Sequence, residues 1–161
     1  IPDCVKEWSK GKMVDIRNPE ATRPWQHVLE PLSGYLTQAM ALNDRQELHG
    51  ESFNFGPNST QNNTVRDLVE NMANHWDKVK WRDVSLVQSG PYESGLLKLN
   101  CDKALHLMDW QAVMNFEETL KMTVQWYRSF YKSPSQSEQT TLNQIQSYTE
   151  LAKNKSLVWT K

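Results

Sequence analysis

Glycine is scarce in this sequence: six residues, at positions 11, 34, 50, 56, 90 and 95, with no two closer than five places. Neither GxG nor GxxG can therefore occur, which excludes a glycine-rich dinucleotide cradle. Gly11-Lys12 is followed by Met13 and has Lys6 five places before the glycine, so a Walker A loop is excluded as well. Cysteine is as sparse. Cys4 and Cys101 are the only two, far below the density of a disulfide scaffold, and they are read as free thiols. No run approaches the ~18 consecutive apolar residues of a membrane helix, and Ile1-Pro2-Asp3-Cys4 has neither a basic leader nor an initiator Met. The chain is read as soluble, without a membrane partner, and as cut from something longer. An excess of one charge is also missing. With 18 Lys+Arg against 19 Asp+Glu the net charge is -1, so no nucleic-acid partner is expected.

What is there is ordinary for a globule: 161 residues, 38% of them hydrophobic, enough for one domain with a sizeable core. Pro2, Val5 and Trp8 recur every three positions ahead of Gly11, which predicts a short helix, and Met13 to Ile16 reads as a strand. After Arg23-Pro24-Trp25 a long helix is expected, with Val28, Leu29, Leu32, Tyr35, Leu36, Ala39, Met40 and Leu42 on one stripe. Glu51 to Gly56 reads as a buried strand ended by Gly56-Pro57, and Lys80 to Val87 as another strand. Thr64 and Asn115 each stand three places before an acidic residue at the head of an apolar period, predicting capped helices from Val65 through Trp76 and from Phe116 to Tyr131. Asp102 is expected to cap a helix through Met108. A polar breaker, Ser133 to Ser137, precedes a last amphipathic helix marked by Leu142, Ile145, Tyr148, Leu151 and Ala152.

Catalytic constellations are missing by inspection. His27, His49, His75 and His106 are too scattered for metal-ligand spacing. No Gly-x-Ser-x-Gly elbow exists, and no tyrosine has a lysine four places on, so the Tyr-x-x-x-Lys dyad is absent. Of the seven tryptophans, Trp76 and Trp126 fall within helical periods and are assigned to the core. Arg17 to Val28 is the most informative segment: two arginines flank a turn and lead towards a helix N-terminus. A forked guanidinium beside free amides suits a phosphate, although solvated or ion-paired arginines would give the same pattern.

Those residues also carry a resemblance. Ile1-Pro2-Asp3, Ile16-Arg17-Asn18-Pro19, the run Arg23-Pro24-Trp25-Gln26-His27-Val28-Leu29-Glu30-Pro31-Leu32-Ser33-Gly34-Tyr35-Leu36, and Phe53-Asn54-Phe55-Gly56-Pro57 closely resemble the C-terminal half of the CDP-glucose 4,6-dehydratase family. That family is a branch of the extended short-chain dehydrogenase/reductases. Asp102-Lys103-Ala104, Trp110, Glu117-Glu118-Thr119-Leu120 and Trp126-Tyr127 are similar to the superfamily's closing segment, and Thr141 to Ile145 with Tyr148 to the dehydratase's terminal helix.

The resemblance implies a mixed α/β, helix-rich fold: the C-terminal substrate-binding lobe of an extended short-chain dehydrogenase/reductase, lacking most of the Rossmann sheet. Residues 1 to 132 would form the nucleotide-sugar-binding lobe, with 133 to 161 a breaker and helix packed on the same domain. It further implies CDP-glucose as substrate and NAD as cofactor, NAD being held by an N-terminal half that this chain lacks. In the whole enzyme NAD takes a hydride from C4 of the glucosyl unit, water leaves across C5 and C6, and the hydride returns at C6. The lobe alone would be inactive. The bacterial cytoplasm is the expected location, since surface-glycan precursors are activated there.

Carried over by position, Val14 and Ile16 resemble strand residues that run past the nucleotide base, and Arg23 matches an arginine on the diphosphate. Arg17 is its family-typical neighbour, and Asn54 matches an asparagine at the strand end nearest the substrate. Tyr92 and Glu93 fall near the phosphates or sugar, but stand where the dehydratases commonly have His-Glu. Asp109 and Ala112 replace the superfamily's usual Gly and Pro around Trp110. Other nucleotide-sugar dehydratases or epimerases, or a non-catalytic nucleotide-sugar- or protein-binding module, remain alternatives. Homo-oligomers are expected, because Phe53 and Phe55 would lie on a strand stripped of its neighbouring sheet.

Overall fold

The computed structural model describes residues 1 to 87 and 94 to 160. Among them are six α-helices and a minimal sheet: α1 (Pro2–Ser9), β1 (Val14–Ile16), α2 (Leu29–Asp44), α3 (Val65–Ala73), β2 (Trp81–Asp83), α4 (Asp102–Met108), α5 (Phe116–Lys132) and α6 (Ser137–Asn154). The expected helix-rich α and β mixture is therefore present, with β1 and β2 forming a two-stranded parallel sheet in which Val14 faces Trp81 and Ile16 faces Asp83.

The best-defined helices are those whose ends close locally. Thr64 Oγ1 accepts the Asp67 amide at 3.0 Å while Asp67 Oδ2 accepts the Thr64 amide at 2.8 Å, and Asn115 and Glu118 repeat the exchange at 2.9 and 2.8 Å. Each box satisfies amides that the first helical turn leaves without partners. The α3 helix ends at Ala73, short of Trp76, yet Trp76 still packs in the core. At α4 the cap position is Cys101 rather than Asp102, which is the first helical residue. Asn100 supplies the bond instead, its Oδ1 accepting the Asp102 amide at 3.0 Å.

Three apolar clusters hold the chain together. Val5 and Trp8 of α1 meet Leu68, Val69 and Met72 of α3 and Leu120 and Val124 of α5. Trp8 Nε1 also donates to the Lys80 carbonyl at 2.8 Å, fixing α1 against the approach to β2. A second cluster gathers Leu48, Phe55, Ala104, Met108 and Trp110, and a third sets Tyr148, Ala152 and Leu157 against Val113 and Met114. The α6 helix lies along α5, with Gln144 Nε2 donating to the Met122 carbonyl at 2.6 Å.

Three sequence expectations fail here. The stripe on α2 points outward: Val28, Leu32, Tyr35, Leu36, Ala39 and Met40 are exposed, while Glu30, Ser33, Gly34 and Thr37 are buried. Residues 51 to 56 form no strand, although Phe55 is buried against Trp110 with ring centroids 4.9 Å apart. Alternation of Phe53 and Phe55 signals a strand only where a neighbour pairs with it, and no described strand does. The strand expected over Lys80 to Val87 shrinks to Trp81–Asp83 and turns at residues 85 to 87.

Around Trp110 the replaced glycine has a local consequence. Asp109 closes α4 in the left-handed region, at φ 52°, a conformation costing a residue with a Cβ about 1–2 kcal/mol. Gly34 meets a different demand: a Cβ there would lie 2.4 Å from the Phe55 ring, so α2 and that ring pack through the missing side chain. Gly34→Ala is expected to lower stability by about 1–3 kcal/mol through overpacking. Urea denaturation checks this, and an unchanged midpoint would mean that Phe55 swings aside freely.

Candidate functional site

The segment from Arg17 to Val28 crosses the surface between the head of α3 and residues 94 to 99. It is stitched down on both sides. The Val65 amide donates to the Ala21 carbonyl at 2.9 Å, the Arg66 amide to the Pro19 carbonyl at 2.8 Å, and the Thr22 amide to the Gly95 carbonyl at 2.8 Å. Trp25 Nε1 donates to the Asn63 carbonyl at 3.1 Å, and Gln26 Nε2 to the Phe55 carbonyl at 3.0 Å.

Within this frame Arg23 is half-buried, its Nη1 donating to the carbonyls of Thr22 at 2.8 Å and Ser94 at 3.0 Å. It lines a shallow crevice with Pro57, Asn58, Ser59 and Lys98. The Lys98 Nζ donates to the Ser59 carbonyl at 3.3 Å. Two cationic side chains thus flank one shallow crevice. Lys98 is the residue that sequence reasoning missed: it lies 75 positions from Arg23, and no local pattern joins them.

The pairing expected between Arg23 and the α2 N-terminus does not form. That helix begins at Leu29, and Val28 and Leu29 line a different cavity from the Arg23 crevice. Trp25 and Gln26, anchored to Asn63 and Phe55, hold the chain between them. The first turn of α2 also carries Glu30, and a carboxylate there does not favour an anion.

The other candidates are scattered. Val14 and Ile16 pack against the α1–α3–α5 cluster, so their side chains belong to the core; Asp15 between them is exposed and takes both forks of Arg82, at 2.6 and 3.1 Å. Arg17 is exposed just beyond β1. Asn54 is exposed, and its Nδ2 donates to the Asn100 carbonyl at 3.2 Å. Tyr92 and Glu93 lie outside the described residues. Arg66, over the Trp81 ring at 5.2 Å, is held by Glu20 and Asp83, so its charge, like that of Arg82, is already answered by carboxylates.

Burial pushes the thiols of Cys4 and Cys101 up, which keeps them protonated and unreactive. Among the described residues no group of three His, Cys, Asp or Glu side chains could hold a metal ion, and no helix is long and apolar enough to cross a membrane. The residues present do not fit NAD either, because no described helix opens from a glycine-rich loop.

A cavity of about 430 Å³ lies elsewhere, among Trp25, Leu68, Met72, Leu120, Trp126 and Ile145. Trp126, expected in the core, is a wall of this cavity instead, stacked on Phe130 at 5.3 Å and bonded through Nε1 to Thr141 Oγ1.

Comparison with known proteins gives a single theme. No family model matches the chain. Over 133 residues it is 37% identical to the CDP-glucose 4,6-dehydratase of Salmonella typhimurium, a match that takes in 82% of this chain and 36% of that protein. The chain thus spans little more than a third of the curated relative's length. The resemblance seen at Arg23 to Leu36 and Asn54 to Pro57 holds across most of the sequence: this chain is similar, over four-fifths of its length, to part of a CDP-glucose 4,6-dehydratase.

Proposed function

We propose that this chain is the nucleotide-sugar-binding portion of a CDP-glucose 4,6-dehydratase, residues 1 to 132 forming the binding lobe and 133 to 161 an appended helix on it. The identity of 37% to such an enzyme carries the reading, and the shared crevice of Arg23 and Lys98 supports it by setting two cations side by side. In this reading Arg23 grips the diphosphate and Lys98 adds a second cation, while Arg17 and Asn54 border the ligand. Val14 and Ile16 shape β1 from the core side, leaving its backbone to run beside the base. Tyr92 and Glu93 retain their proposed place near the phosphates or sugar.

The hydride chemistry belongs to the rest of the parent protein. NAD and a tyrosine base must be positioned together for C4 oxidation, and neither a dinucleotide cradle nor a Tyr-x-x-x-Lys dyad is in this sequence. The chain alone, given CDP-glucose and NAD, is therefore expected to yield no 4-keto product.

Arg23 offers the sharper test. Arg23→Met keeps length but removes the charge and the fork, so CDP-glucose affinity should fall roughly 10- to 150-fold, equivalent to about 1.5–3 kcal/mol. Isothermal titration of CDP-glucose into wild type and variant reads this directly. Equal affinities would leave Arg23 a purely structural residue, holding the 94 to 96 turn.

A further inference from the structure

The 430 Å³ cavity is apolar with two exceptions. Trp25, Trp126, Tyr127, Leu68, Met72 and Leu120 supply most of its wall. Both indoles are pinned through their N–H groups, Trp25 on the Asn63 carbonyl and Trp126 on Thr141 Oγ1, so each offers only carbon surface to the space it lines. Among the described residues that line the cavity, none is Asp, Glu, Lys or Arg. The exceptions are His27 and Thr119, which line the same cavity at 8% and 6% exposed. His27 Nδ1 accepts the Leu29 amide at 3.3 Å, so the neutral ring carries its proton on Nε2. Among the described residues nothing accepts from that N–H, and nothing bonds Thr119 Oγ1. Buried polar groups left bare are rare, because each forfeits a hydrogen bond that it would make in water. Aromatic walls with a few convergent polar groups are the make-up of a small-molecule site, and the volume is of that order.

We propose that this cavity binds an uncharged aromatic molecule carrying a hydrogen-bond acceptor, its ring among Trp25, Trp126 and Tyr127 and its acceptor on His27 Nε2–H. The lining selects each part of that description. An ion would sit without a counter-charge, which is costly in an apolar space. A plain hydrocarbon would leave the His27 donor and the Thr119 hydroxyl bare. No residue of the cavity also lines the Arg23 crevice, so this ligand is a second one, distinct from a nucleotide sugar held at Arg23.

The test uses two probes of similar shape: acetophenone, which has a carbonyl acceptor, and ethylbenzene, which has none. Each is titrated into the chain and into two variants, with binding read by saturation-transfer NMR and folding checked by circular dichroism. Ile145→Trp fills the space from a cavity residue that is 43% exposed, and it should weaken both probes at least tenfold. His27→Asn keeps an acceptor for the Leu29 amide but has no Nε2–H. It should weaken acetophenone roughly three- to tenfold and ethylbenzene less than twofold, as loss of one neutral hydrogen bond requires. In the unmodified chain the His27 Nε2–H resonance should move downfield with acetophenone and stay in place with ethylbenzene, a readout that needs no variant to fold. Lack of saturable acetophenone binding below about 10 mM, a weak affinity for a ligand this small, overturns the site. Binding that survives Ile145→Trp places the probe elsewhere and overturns it equally. Equal losses for both probes in a folded His27→Asn variant, or a His27 resonance that ignores acetophenone, overturn the acceptor contact.

Discussion

Glu30→Ala should lower the stability of the fold by about 3–5 kcal/mol, a large share of the 5–15 kcal/mol typical of a domain. Glu30 is only 1% exposed, and its carboxylate joins three parts of the chain. Oε1 accepts the Met114 amide at 2.7 Å, and Oε2 accepts the Val113 amide and the Tyr148 hydroxyl, both at 2.9 Å. Burial pushes this carboxyl above its usual range, opposed by the two amides that bond it, and it pushes the Tyr148 hydroxyl up as well, helped by the neighbouring Glu30 charge. Truncation leaves the buried Val113 and Met114 amides without an acceptor, each costing about 1–3 kcal/mol before water relieves part of it, and takes from the Tyr148 hydroxyl one of its two acceptors, Ser33 Oγ at 3.0 Å remaining. The α6 helix, tied down through Tyr148, should loosen first. Glu30→Gln separates the causes, because its amide keeps the volume but turns an N–H₂ towards one of the backbone donors. A loss about half that of alanine is expected by urea denaturation, and a Gln variant as stable as wild type would show that two accepting oxygens are not needed.

The second large effect is one of pH. His27 is 8% exposed, and burial lowers its pKa from 6.5 to about 4. The Leu29 amide donates to Nδ1 at 3.3 Å, a bond that requires the unprotonated nitrogen. Unfolded, the same ring titrates near 6.5, so between the two values the unfolded chain binds a proton that the folded one refuses. Stability rises with pH across that window and is lost as pH falls from about 6.5 to about 4, amounting to about 3 kcal/mol in full. His27→Asn, which retains an acceptor and cannot titrate, should remove this part of the acid sensitivity. Urea midpoints at pH 7.5 and 4.5 for both proteins give the measurement. Carboxylates held low by cations, such as Asp15 beside Arg82, add acid sensitivity of their own but equally in both proteins. An identical pH slope in the variant would mean that the ring is already charged in the folded state.

What the sequence by itself determined is local. The capping boxes of α3 and α5 need only residues three places apart, so both helix starts were readable before any packing was known. The α1 helix and β1 were legible for the same reason, as was the absence of a dinucleotide cradle and a catalytic dyad. The Arg23 to Leu36 run was distinctive enough to indicate the relative that comparison then found.

Only the tertiary structure decided which face of α2 is buried. Periodicity reports that a helix has an apolar side, not what lies beside it, and here Glu30 and Ser33 find partners in Val113, Met114, Trp110 and Tyr148 that lie some eighty to one hundred and twenty positions away. A single charge in an apolar run was the one available hint, and its reading required knowing those partners. The same distance hid Lys98 from Arg23, and it denied Phe53 and Phe55 a strand, since pairing depends on a neighbour that local sequence does not supply. Local bonds are encoded beside the residues that make them; burial direction and site assembly arise from contacts between segments far apart in the chain.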